Sequence, residues 1–343
     1  MINYARTSSA LGYMVFSALA ALSATASAAV SIDWVSVGNA GNAADTSGYG
    51  AVAYEYRIGK YEVTNAQYGQ FLNAVASIAD THSLYDSRMA SYGITASGTS
   101  GSYTYSVTGA LANHPVNFVS WYDAARFANW MINGQPTGAQ NNASTENGAY
   151  TLTTFNDDGN VPNKNAINPN TGIAPDFYIP TESEWYKAAY YSQALNGGAG
   201  GYYSFATQSN DFPGNLIGDS ANQANYNNGV YSVTQSADYV EGQDYLTDVG
   251  SFSGSASYYG TFDQGGNMWE WNDLSGGATS LTRGVRGGNF NDIFFGLTSS
   301  RRLTDLATSN IGYGGFRLAS VPEPSSWVLT MLFSASLAIR RRR

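Results

Sequence analysis

The sequence predicts a single α+β domain over residues 29–320, low in regular secondary structure, with short strands and about three short helices. Three observations lead there. Three helix starts carry a hydroxyl cap followed three places on by a polar side chain. The intervening segments are short runs of Val, Tyr, Phe and Thr broken by Gly, Asn, Asp and Ser, a pattern of short strands and long ordered loops. Finally, the 343 residues are 14% aromatic and 12% charged, which is more apolar surface than a disordered chain carries.

In chain order, the amino terminus reads as a targeting segment. Arg6 precedes an apolar run from Leu11 to Leu22, and Ala26-Ser27-Ala28 supplies an A-x-A pattern. The expectation is a signal peptide over residues 1–28, removed near Ala29; a retained membrane anchor is the alternative, disfavoured by the short run.

The helix starts follow. Thr64 to Gln67 opens the first helix, whose apolar face is Tyr68, Phe71, Leu72 and Val75. Ser120 to Asp123 opens the second, with Ala124, Phe127, Ala128 and Met131 on one face. Thr181 to Glu184 opens the third. Such stripes are read as core.

The carboxyl terminus has its own pattern, Val321-Pro-Glu-Pro324, a short apolar span over 326–339, and the basic tail Arg340 to Arg343. The arginines would hold that end on the cytoplasmic side. This resembles the PEP-CTERM sorting signal of Gram-negative bacteria. The resemblance implies recognition and cleavage by an exosortase in organisms that make exopolysaccharide, hence an exported envelope or extracellular protein, associated with the membrane at least transiently. A plain tail anchor is the alternative.

Charge narrows the partners. Arg6 and the four terminal arginines remove five of the 16 basic residues, and Glu323 removes one of the 25 acids. The domain therefore carries 24 acids against 11 bases, a balance that repels phosphate backbones and favours cations, so no nucleic-acid partner is expected. With no cysteine anywhere, disulfides, thiolate nucleophiles, zinc–thiolate sites and iron–sulfur clusters are all excluded.

Five blocks then carry a family resemblance. They are Tyr56 to Asn65 (YRIGKYEVTN), His114 to Trp121 (HPVNFVSW), Ile179 to Trp185 (IPTESEW), Gly266 to Trp271 (GNMWEW), and Arg286 to Phe290 (RGGNF) with Gly315-Phe-Arg317. In this order they resemble the formylglycine-generating enzyme family, also called the sulfatase-modifying factor domain. The resemblance implies an elaborated C-type-lectin-like fold, often calcium-bound.

In the Gly266 block, physics makes a similar demand. Glycines at 265 and 266 allow a tight turn with exposed carbonyls, and Asp263 and Glu270 supply the anionic oxygen that a hard cation requires; Trp269 and Trp271 would shield the site. The resemblance implies calcium sites at Asp263, the carbonyls of Gly266 and Met268, and Glu270 in one place, and in another at Asn225, the carbonyl of Tyr226 and an acid from the stretch Asp238 to Asp244, of which Glu241 is favoured. Alternatively, Glu270 caps or pairs with an arginine such as Arg286, and Asn225 shapes a turn.

Catalysis is disfavoured by the same comparison. The family enzyme oxidises a substrate cysteine with oxygen through two cysteines that bind copper. Asp292 and approximately Leu297 stand at those positions, and carboxylate plus leucine cannot replace a thiolate pair for copper(I), so copper is not expected. The ergothioneine-type sulfoxide synthases of the family hold iron with three histidines, whereas this chain has only His82 and His114. No G-x-S-x-G elbow occurs, and Asp157-Asp158 before Gly159 reads as a hairpin turn or loose cation loop rather than a glycosidase pair. No catalytic residue is assigned.

The leading reading is therefore an exported, non-catalytic envelope or matrix protein, polysaccharide-associated through Tyr, Trp, Asn and Asp side chains. An oxidoreductase with an atypical metal centre and a cell-surface protein-binding module are the alternatives. Arg301, Arg302 and Arg317 would orient an anion in a binder or enzyme, or else pair with the abundant acids.

Overall fold

The computed structural model describes residues 29–152, 161–274 and 281–321. The expected leader 1–28, the sorting tail 322–343 and the Asp157-Asp158 pair lie outside the described residues. Among the described residues no helix is long and apolar enough to cross a membrane.

The strands are short and come in chain order as β1 (Trp34–Val37), β2 (Tyr56–Gly59), β3 (Ile94–Ser97), β4 (Thr104–Val107), β5 (Tyr191–Ser192), β6 (Gly201–Tyr202), β7 (Trp269–Asn272), β8 (Thr282–Arg286), β9 (Leu303–Leu306), β10 (Gly314–Gly315) and β11 (Ala319–Ser320). Two sheets organise the domain. One is β1-β2-β11, antiparallel, with Trp34 opposite Gly59 and Ala319 opposite Ile58. The other is β10-β7-β8-β9, in which Glu270 faces Arg286 across an antiparallel pair and Gly315 across a parallel one. Two hairpins, β3-β4 and β5-β6, complete the set.

Three α-helices are present among the described residues, α1 (Asn65–Val75), α2 (Trp121–Ile132) and α3 (Glu182–Tyr190). Each starts on the capping box read from the sequence. Thr64, Ser120 and Thr181 accept from the backbone of Gln67, Asp123 and Glu184, whose side chains reach back to the cap. Each closed box satisfies donors that would otherwise be orphaned, and is worth about 1 kcal/mol.

The apolar faces of α1 and α2 meet in the main core. Phe71 lies 5.2 Å from Trp130 between ring centroids, and Phe127 packs edge-on against Phe316 at 5.4 Å. Tyr68, Phe71, Leu72, Val75, Ala124, Phe127 and Ala128 are all fully buried. Full burial of a ring such as Phe71 contributes roughly 2–3 kcal/mol. Trp269 and Trp271 of β7 join the same core, so the helices and the second sheet share one apolar interior.

Candidate functional site

The two sheets are tied by one arginine. Arg317 leaves β10 and precedes β11, and its guanidinium is fully buried. Arg317 Nε donates to Glu270 Oε2 and Nη2 to Oε1, both at 2.6 Å. Its remaining donors reach the carbonyls of Gly59 (3.0 Å), Lys60 (3.2 Å) and Phe262 (2.9 Å). Trp185 of α3 adds an indole N–H to Glu270 Oε2 at 2.8 Å. The glutamate between two tryptophans is thus paired with Arg317, while its cross-strand neighbour Arg286 is held by Glu182 at 2.7 Å.

Two more carboxylates crowd this pair. Glu62, just after β2, is 2% exposed; its Oε1 accepts from Asn267 Nδ2 at 3.3 Å and its Oε2 has no hydrogen-bond partner, lying 3.8 Å from Arg317 Nη2. Asp263 keeps part of its surface and accepts from the Gly250 backbone N–H at 2.6 Å. Burial, then the neighbouring charge of Asp263, pushes the Glu62 carboxyl well above its usual range. Burial likewise lifts Asp263 to about 6, against the pull of the Gly250 N–H and Arg317. Three acids share one guanidinium, an imbalance that calls for protons or a cation.

The turn beneath them is shaped by backbone that side chains rarely adopt. Asp263 and Asn267 sit in the left-handed region at φ 62° and 61°, as does Gly266 at 92°. A Cβ on Gly266 would collide with the Asn225 carbonyl, so only glycine fits. The same close approach brings Asn267 N to Asn225 O at 2.8 Å and Asn225 Nδ2 to Asn267 Oδ1 at 3.0 Å, while Asn225 Oδ1 is buried with no partner.

These positions allow the two expected calcium sets to be compared with the fold. Every donor is a hard oxygen, suited in kind to calcium. In the first set, Asp263 Oδ2 already accepts from the Gly250 N–H, Gly266 O accepts from Met268 N at 2.8 Å, and Glu270 spends both oxygens on Arg317 and Trp185. In the second set, Asn225 offers its orphaned Oδ1, Tyr226 O accepts from Asn215 and Ser232, each at 3.3 Å, and Glu241 is exposed with no hydrogen bond to either. Among the described residues no three His, Asp or Glu side chains form a group placed to hold a metal. Sequence reasoning passed over Glu62; its signal was an acid inside the first family block, next to the strand that Arg317 binds.

The histidines and the cysteine-matching positions have other partners. His114 Nδ1 lies 3.0 Å from Asp244, and His82 Nε2 lies 3.4 Å from Glu146. Asp292 Oδ2 accepts from the Asn289 backbone at 2.9 Å, closing a turn, and burial raises its carboxyl. Leu297 is 1% exposed, packed with Phe205, Ala224 and Tyr226. Of the three arginines singled out, Arg317 and Arg302 pair with Glu270 and Glu182, whereas Arg301 lies over the Phe295 ring at 5.7 Å and makes no ion pair among the described residues.

Fold and site together define an α+β domain of short strands and long loops, locked by a buried arginine–carboxylate cluster. The chain belongs to the family of the sulfatase-modifying factor enzyme 1-like domain, whose model matches residues 36–321. Solved structures similar to it include CarF, at 19% identity and a TM-score of 0.47, covering 85% of this chain and 99% of that one. Treponema denticola variable protein 1 matches at 17% identity and 0.48, covering 85% and 96%. PvdO from Pseudomonas aeruginosa matches at 14% and 0.41, covering 85% and 92%. No curated protein matches the chain.

Proposed function

We propose that this chain is an exported, non-catalytic member of its family that acts as a binding or structural protein of the cell envelope or extracellular matrix, associated with polysaccharide. The observation that carries the reading is the use made of the two positions where the family enzyme keeps its cysteines. Asp292 closes a turn and Leu297 fills an apolar cluster, so both serve the fold. In a chain without cysteine, no thiol remains to bind copper or to take part in oxidation.

Calcium belongs to the same reading. Asp263 and Glu62 carry the carboxylate oxygens that a cation would draw on, with Asn225 Oδ1 as the neutral donor of the second set. A cation at Asp263 and Glu62 would offset their charge and steady the turn 263–268, and one at Asn225 would steady 225–226. Targeting follows from the ends, with the leader 1–28 directing export and the PEP-CTERM tail engaging an exosortase in a Gram-negative cell. A cell-surface protein partner is the second reading, favoured by the exposed apolar side chains of Phe212, Ile293 and Phe295.

Co-sedimentation of the full chain with exopolysaccharide from a Gram-negative producer tests the proposal. Recovery in the pellet supports it, and a chain that stays in the supernatant sends the search to protein partners.

A further inference from the structure

Away from the Arg317 cluster, α2 presents two ionisable side chains to one cavity of about 340 Å³. Asp123 and Arg126 line it together with His82, Ser83, Thr308 and Asn310. Both are inside the protein, at 3% and 8% exposure. Arg126 Nε and Nη2 grip Glu146 at 2.8 and 3.1 Å, which leaves Nη1 without a hydrogen-bond partner among the described residues. Asp123 Oδ2 takes the Ser120 backbone N–H at 2.9 Å and the Ser120 hydroxyl at 2.7 Å, leaving Oδ1 unpartnered among the same residues. Ser83 on the wall is held at φ 54°, a conformation that side chains rarely adopt and that recurs at binding sites.

The lining selects among ligands. Glu146 already meets the charge of Arg126, so an anion would gain little and would face Asp123; a cation would face the guanidinium. A fixed donor beside a fixed acceptor suits groups that both donate and accept, and hydroxyls do so. The volume sits at the lower end of small-molecule sites, enough for a single ring. We propose that this cavity binds one pyranose residue, with neighbouring hydroxyls accepting from Arg126 Nη1 and donating to Asp123 Oδ1. The proposal deepens the polysaccharide reading and rests on it.

The test titrates the full chain with the methyl glycosides of glucose, galactose and mannose, with acetate and glycine as anionic and zwitterionic controls, and reads binding by saturation-transfer NMR and calorimetry. Two variants accompany it. Thr308→Trp fills the cavity from an exposed rim position and leaves the buried pairs intact, and Arg126→Lys keeps a charge toward Glu146 but removes the planar fork. The expected result is binding of at least one glycoside that weakens about tenfold or more in both variants, with an unchanged melting temperature in Thr308→Trp, whose position is exposed. Sugar binding that survives Thr308→Trp overturns the site, as does preference for acetate or glycine, or no glycoside binding. If Thr308→Trp still sediments with polysaccharide, the wider reading stands and this cavity is excluded; if wild type fails to sediment, both fall.

Discussion

Arg317 and Glu270 form a two-pronged ion pair, 2.6 Å on each side, that joins the sheet of β2 to the sheet of β7 through a guanidinium with no solvent exposure. Its position explains why the glutamate stands between two tryptophans. Trp269 and Trp271 both pack in the core, Trp185 of α3 adds a donor to the carboxylate, and water is kept from the pair.

Breaking one partner should therefore be severe. Arg317→Met leaves the buried Glu270 unmatched and is expected to destabilise by about 3–5 kcal/mol in urea unfolding; Glu270→Gln leaves the guanidinium facing Glu62 at 3.8 Å and is expected to cost about 1–3 kcal/mol. A double Glu270→Met, Arg317→Met variant should recover part of that loss. Single variants within about 0.5 kcal/mol of wild type would show that the pair does not hold the sheets together.

Stability should fall as pH rises from about 4 to 7. Burial lifts Asp123 to about 6 and, against the pull of its buried partner Arg283 at 2.8 Å, lifts Asp273 after β7 to about 7, above their unfolded values, so the folded state binds more protons in that window. Their protonated forms stabilise fully below the unfolded pKa, and this contribution is lost as pH passes the folded pKa. Asp123→Asn retains an acceptor for Ser120 and removes one titration, so its stability curve should be flatter by an amount on the order of a few kcal/mol across the window. Parallel curves for variant and wild type would refute the assignment.

The cysteine-matching positions should behave as parts of the fold. Asp292→Ala should cost about 1 kcal/mol through the lost turn contact, and Leu297→Ala about 2–5 kcal/mol. Wild type with copper and oxygen should leave a cysteine-containing peptide at its original mass. Conversion of that peptide by wild type, lost in Asp292→Ala, would contradict the non-catalytic reading.

Much of the fold was legible because its signals are local. Each capping box lies within four residues, and the buried stripes of α1 and α2 repeat at helical spacing, so Thr64, Ser120 and Thr181 marked real starts. The site was legible only in part. Glu270 was visible as an acid in need of a partner, but Arg317 and Glu62 lie 47 and more than 200 residues away in the chain, and only the pairing of β7 with β10 and the path of β2 bring them together. The cavity beside α2 was hidden for the same reason, since Asp123 shows in the sequence only as a capping residue and nothing local marks Arg126, and it is His82 and Thr308, distant in the chain, that close around them.

The proposed function is that of an envelope protein that grips polysaccharide, with calcium proposed at Asp263 and Glu62. The most direct measurement is the affinity of the full chain for exopolysaccharide in calcium and again after chelation. The proposed function requires binding in calcium that is lost with chelator and weakened in Asp263→Asn. Absence of binding in both states would contradict it, and equal binding in both would remove calcium from it.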